Sequence, residues 1–188
     1  MTITAFLTAY FYSDLTGGAQ LPFSFTDQVF KKGDIITRYQ QVEKKMYYIN
    51  EGIAQMNILK EGEEKIIDFF FPKEFFCSYT SFISQKSSDV QIIALTDCQF
   101  EMIQYDDLQA AYNFSFLANK IGRVLTEQIY IRKTRREKDF LTKSADERYK
   151  DLITYRPQLV QLIPINKIAK YLGIHPESLS RIRKEIIS

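Results

Sequence analysis

Glu177, Ser178, Ser180, Arg181, Arg183 and Lys184 crowd the end of this 188-residue sequence, with Lys167 and Lys170 shortly before them. These side chains suit recognition of a polyanion with an information-bearing edge. Arg181 offers a planar fork that can bond guanine bidentately, and Glu177 can accept from a cytosine amine. The hydroxyls and Lys184 suit phosphate or mixed contacts, and Lys167 and Lys170 can add backbone contacts. Such groups act together only if an element holds them on one surface. Ile165, Ile168, Ala169 and Leu172 recur at helical spacing, Gly173 interrupts, and Leu179, Ile182 and Ile186 resume the rhythm. Pro176 stands where a second helix begins, a position that tolerates its missing N–H. The spacing predicts two helices joined by a tight turn. The plainer reading of the same residues is an amphipathic helix pair with a solvated face.

Composition places this pair in an ordinary globular chain. Hydrophobic residues make up 45% and charged residues 26%, which indicates neither disorder nor a membrane protein. The longest apolar runs, such as 66–72 with Asp68 inside, are too short to span a bilayer. The start, MTITAFLTAYFYSD, lacks a basic segment and a small-residue cleavage site, so the expected compartment is the cytoplasm. Two cysteines, Cys77 and Cys98, and one histidine cannot assemble a zinc site or an iron–sulfur cluster, and no metal is expected. The net charge of +2 hides an asymmetry. Residues 1–114 carry 9 Lys and Arg against 15 Asp and Glu, whereas residues 115–188 carry 16 against 8. An acidic front and a basic rear fit a chain that meets a polyanion with one half only.

The remaining sequence supplies the elements that must carry the pair. Ile3, Phe6, Leu7, Tyr10 and Phe11 predict a short amphipathic helix stopped at Gly17-Gly18. From about Val29 to Ile103 the texture is β-like. Runs at Ile35-Ile36, 46–49, 54–59, 64–71, 90–95 and 99–103 alternate with Gly-bearing turns, predicting an antiparallel barrel or sandwich. A helix is predicted from near Ser115 to Phe140, which at ~1.5 Å per residue extends roughly 39 Å. Leu117, Ile121, Val124, Gln128 and Ile131 recur in steps of four and three along it, the spacing of a seam on which two chains can pair. A helix buried within one chain fits the same spacing. The basic cluster Arg132, Lys133, Arg135, Arg136 and Lys138 reads as a solvated face, and Ser144 with Glu147 forms a capping box for a further helix to about Thr154.

This order of parts resembles the Crp/Fnr family of bacterial transcription regulators over nearly the whole chain. The matching residues are Lys32-Gly33-Asp34-Ile35-Ile36, the stretch 61–67, Glu74-Phe75-Phe76 and, above all, 168–184. The resemblance implies an α+β chain with three parts. These are an N-terminal antiparallel, jelly-roll-like β-roll sensor (1–114), a long dimerisation helix (115–140) and a C-terminal helix-turn-helix (141–188). Because the sequence ends at Ser188, little or no wing is expected. The resemblance further implies a homodimer on double-stranded DNA, base contacts from Glu177, Ser178 and Arg181, and contact with RNA polymerase. Any effector would meet the roll segment that includes Lys73, Glu74, Ser87 and Ser88, but its identity is unknown. Lys73-Glu74 replaces the Gly-Glu pair of cyclic-nucleotide-binding members, and residues 85–89 offer no arginine for the cyclic phosphate. Cyclic nucleotide is therefore not expected as a cofactor. The alternative is a ligand-binding sensor whose helical C-terminal region meets a protein partner. An enzyme is not expected, because the sole histidine, His175, has no paired nucleophile and the carboxylates lack catalytic spacing.

Overall fold

The computed structural model describes residues 1–15 and 21–187, so the expected stop at Gly17-Gly18 lies outside the described residues. Two compact units divide the chain. The first comprises Met1–Glu64 and Asp68–Leu125, the second Thr126–Ser188 with Lys65–Ile67. No described helix is long and apolar enough to cross a membrane.

The first unit is built on two four-stranded sheets. One has the order β1 (Thr26–Phe30), β8 (Cys98–Gln104), β3 (Lys45–Glu51), β6 (Phe75–Phe76). The other has the order β2 (Ile35–Thr37), β7 (Val90–Ala94), β4 (Ala54–Lys60), β5 (Glu63–Phe70). The pairings are antiparallel, with Tyr47 opposite Met102 and Tyr48 opposite Glu101 at the centre of the first sheet. Turn chemistry sets these registers. The β4–β5 hairpin closes on Glu61 and Gly62, both at positive φ (54° and 80°), as a two-residue hairpin turn requires. Between β3 and β4, Gly52 holds φ +94°, and a Cβ there would stand 2.5 Å from the Asp97 carbonyl oxygen. No other residue fits without displacing the opposing backbone.

Aromatic side chains fill the space between strands. Phe69, Phe70, Phe71, Phe76, Phe82 and Phe100 are buried, and the Tyr47, Phe76 and Phe100 rings meet at centroid distances of 5.2–6.0 Å. Cys77 and Cys98 are buried in this core and form no disulfide, and burial pushes the Cys98 thiol up from its ordinary value. The strands β1 and β6 and the short helix α2 (Tyr79–Ser84) were not separable as elements in the sequence, being too short or too weakly patterned.

Helix α1 (Ile3–Tyr10) is capped by Thr2, whose hydroxyl accepts from Ala5 N–H at 3.2 Å, while Ile3 N–H donates to the buried Glu101 carboxylate at 2.7 Å. Its Ile3 and Leu7, with Phe11, form a core with Tyr48 and Ile121. Helix α3 (Tyr105–Phe114) follows β8, and α4 (Phe116–Thr142) runs for 27 residues. Part of the expected pairing seam packs within this chain. Ile121 is 2% exposed, and Leu117 and Val124 pack half-buried on the same cluster, so this chain uses the N-terminal part of the seam itself. Gln128 and Ile131 are exposed.

The second unit continues from α4 into α5 (Ala145–Tyr155), α6 (Pro157–Leu162), α7 (Ile165–Leu172) and α8 (Pro176–Ile187). The expected capping box is present. Ser144 Oγ accepts from Glu147 N–H at 3.3 Å, and Ser144 N–H donates to the Glu147 carboxylate at 2.8 Å. Those bonds to Ser144 hold the Glu147 carboxyl below its ordinary value. Tyr149, Leu152, Leu159, Ile163, Ile168 and Leu179 are among the residues that close the core of this bundle.

Candidate nucleic-acid interface

The geometry at the end of α7 fixes the direction in which α8 leaves. Gly173 adopts φ +71°, its N–H returns to the Lys170 carbonyl at 3.2 Å, and Ile174 N–H reaches the Ala169 carbonyl at 3.0 Å. This pair of bonds is a Schellman closure, which satisfies carbonyls the helix would otherwise leave open. Two residues later Pro176 starts α8, and Leu179 and Ile182 turn inward at 0% and 4% exposure. The opposite side must therefore face solvent.

Helical spacing sorts the polar candidates into two groups. Glu177, Ser180, Arg181 and Lys184 lie on the outward side and are all exposed, whereas Ser178 and Arg183 are half-buried along the borders of the inward stripe. On α7, Lys170 is exposed and Lys167 half-buried. The outward row combines a carboxylate, a hydroxyl, a guanidinium and an ammonium within about two turns, the mixture that suits base edges and phosphates.

The basic cluster at the end of α4 is not a uniform solvated face, which corrects the expectation from sequence. Arg135 stands over the Tyr155 ring at 5.8 Å. Arg136 lies 4.1 Å above the Tyr171 ring and 5.3 Å from that of Phe140, and its Nη2 donates to the Tyr171 carbonyl at 3.2 Å. From α5, Arg148 stacks on Phe140 at 4.3 Å and donates to the carbonyls of Leu172 at 3.2 Å and Phe140 at 3.4 Å. Nearby, Lys143 bridges Asp139 and Asp151 at 2.8 and 2.6 Å, and these bonds raise its ammonium above the ordinary lysine value. Nothing local in the sequence marks Arg148, whose partners Phe140 and Leu172 lie on other elements.

In the roll, the four expected effector-segment residues fall into separate settings. Lys73 and Glu74 form the turn between β5 and β6, tied to β3 by Lys73 N–H on the Ile49 carbonyl and Ile49 N–H on the Glu74 carbonyl. Ser87 pairs with Val42, and the Ser88 hydroxyl lies 2.7 Å from that of Ser78. Beside them stands a buried acid that the sequence did not reveal. The Thr37 hydroxyl donates to the Glu43 carboxylate at 2.5 Å and Lys45 N–H donates at 3.1 Å, while Glu43 N–H donates to Ser81 Oγ at 2.9 Å. Burial pushes the Glu43 carboxyl up, opposed by these hydrogen bonds.

Residues 27–113 match the family model of the cyclic nucleotide-binding domain. Over the wider chain, the fold is similar to that of solved Crp/Fnr regulators. FixK2 from Bradyrhizobium japonicum superposes with a TM-score of 0.70 at 18% identity, covering 87% of this chain and 84% of its own. A Eubacterium rectale protein placed in the Crp/Fnr family of transcriptional regulators gives 0.69 at 18% identity, with 93% and 84% covered. The c-di-GMP-responsive global regulator CLP of Xanthomonas campestris gives 0.66 at 17% identity, with 86% of each chain covered. A comparison with curated protein sequences gave no match. The fold is thus a cyclic-nucleotide-binding-type roll followed by a helical C-terminal region, in the Crp/Fnr arrangement.

Proposed function

We propose that this chain is a Crp/Fnr-type transcription regulator that binds double-stranded DNA sequence-specifically as a homodimer and does not respond to cAMP. One observation carries the reading: the exposed row Glu177, Ser180, Arg181 and Lys184 on a helix whose other side is locked into its neighbour. The basic rear half supplies the electrostatic attraction, and the Crp/Fnr arrangement supports a symmetric DNA site with half-sites about one helical turn, ~34 Å, apart. Exposed apolar residues of α4, Phe116, Tyr130 and Ile131, are suited to meet a second copy. The cAMP-independent part rests on the roll segment. Between Lys73 and Asp89 there is no arginine. A cyclic phosphate there would have no guanidinium to compensate its charge.

The test is a salt titration of the purified chain against random-sequence 30-base-pair duplexes by fluorescence anisotropy. Affinity should fall steeply with salt, with a slope near −0.9 for each phosphate neutralised. Absence of binding to every duplex at low salt overturns the DNA reading and favours a protein partner. A rise in melting temperature with millimolar cAMP overturns the cAMP-independent part.

A further inference from the structure

The junction between α4 and the α7–α8 turn contains two arginines that the interface described above does not use. Arg136 comes from α4 and Arg148 from α5, and both guanidiniums lie over the Phe140 ring. Each donates to one of the last carbonyls of α7, Arg136 to Tyr171 and Arg148 to Leu172, both at 3.2 Å. Those carbonyls sit immediately before Gly173, the residue from which the chain turns into α8. A helix C-terminus carries partial negative charge and open acceptors, and an arginine fork satisfies both needs with a defined orientation.

Resting on the DNA-binding reading, we propose that Arg136 and Arg148 are positioning residues: they clamp the C-terminal end of α7 to the end of α4 and so set the angle at which α8 is presented. Both arginines are half-buried residues, each stacked on a ring and bonded to carbonyls within the same unit. Their charge is thus directed inward, unlike that of the exposed Lys170 or Lys184. Removing the clamp should loosen the orientation of α8, which affects matched contacts to base edges far more than general attraction to phosphate.

The experiment compares wild type, Arg148→Lys and Arg148→Met as full chains on two probes. One is the duplex enriched by wild type from a random pool, the other an unselected duplex of equal length. Both Arg148 variants should bind the enriched duplex about tenfold more weakly. Binding to the unselected duplex, and the slope of affinity against salt, should stay unchanged. Circular dichroism at the assay temperature establishes that helix content is retained; if Arg148→Met unfolds, Arg148→Lys decides. The proposal is overturned if both duplexes weaken equally and the slope falls by about one, as for a phosphate contact. Full activity of Arg148→Lys also overturns it, since charge alone would then suffice, and so does loss of folding in both variants. Failure of wild type to enrich any duplex sinks the DNA-binding reading itself, and the proposal with it.

Discussion

Arg181 and Lys184 share an exposed face of α8 but differ in what their charges can do. A planar fork can distinguish one base from another, whereas an ammonium is a point charge that suits phosphate. Arg181→Ala should therefore cost about 1–3 kcal/mol and relax preference at one base position, while Lys184→Ala weakens all duplexes alike and lowers the salt slope by about 0.9. Competitive binding to a panel of single-base variants checks both, and uniform loss for Arg181→Ala removes its reading role. Glu43 is the other residue with a distinct expected behaviour. Its carboxyl is raised by burial, so between its unfolded and folded values the folded chain holds a proton that the unfolded chain has released. The sign follows: the stability that Glu43 contributes is present at acid pH and is lost as pH rises through its folded value. Glu43→Gln lacks this step, so its melting temperature relative to wild type should improve as pH rises from the ordinary carboxyl range through the folded value. A difference that stays constant, or moves the other way, contradicts the buried-acid description.

At the scale of elements, the close approach of α3 and α4 depends on a missing side chain. A Cβ at Gly122 would overlap the Tyr112 ring, and burial pushes that phenol up to about 12. Gly122→Ala should thus cost about 1–3 kcal/mol as overpacking, despite the better helix propensity of alanine. Adding Tyr112→Ala should remove the clash term, so that the two changes together cost less than their sum in denaturant unfolding. Additive effects would mean that the ring and the glycine do not meet. The turn after α7 rests on a related device, because Gly173 at φ +71° allows the Schellman closure that precedes α8. This element was legible beforehand from Gly173 and Pro176, and so was the Ser144–Glu147 cap, since both are rules about neighbouring residues.

Across the whole molecule, α4 serves two cores, and its residues must be assigned by what covers them. Ile121 is enclosed by α1 in its own chain, whereas Ile131 is 64% exposed. Ile121→Ala should lower stability by about 2–5 kcal/mol through cavity formation without changing the sedimenting mass. Ile131→Glu should leave the melting temperature of the folded chain nearly intact and shift sedimentation towards monomer. Dissociation caused by Ile121→Ala alone would reverse these assignments. What the sequence determined by itself was local and periodic: the alternation of the strands, the long helix, the cap and the helix pair with its row of polar groups. The residue rhythm dictates such features, because a helix or strand repeats its geometry every few residues. Only the tertiary structure decided which rhythmic positions were available. The Leu117–Ile131 spacing describes a seam equally well whether a second chain or α1 covers it, and α1 lies over a hundred residues away. Glu43 meets Ser81 across 38 residues, and Arg148 meets Leu172 across 24. Long-range contacts of this kind leave no periodic trace, so a buried acid and a clamping arginine look in sequence like any other surface charge.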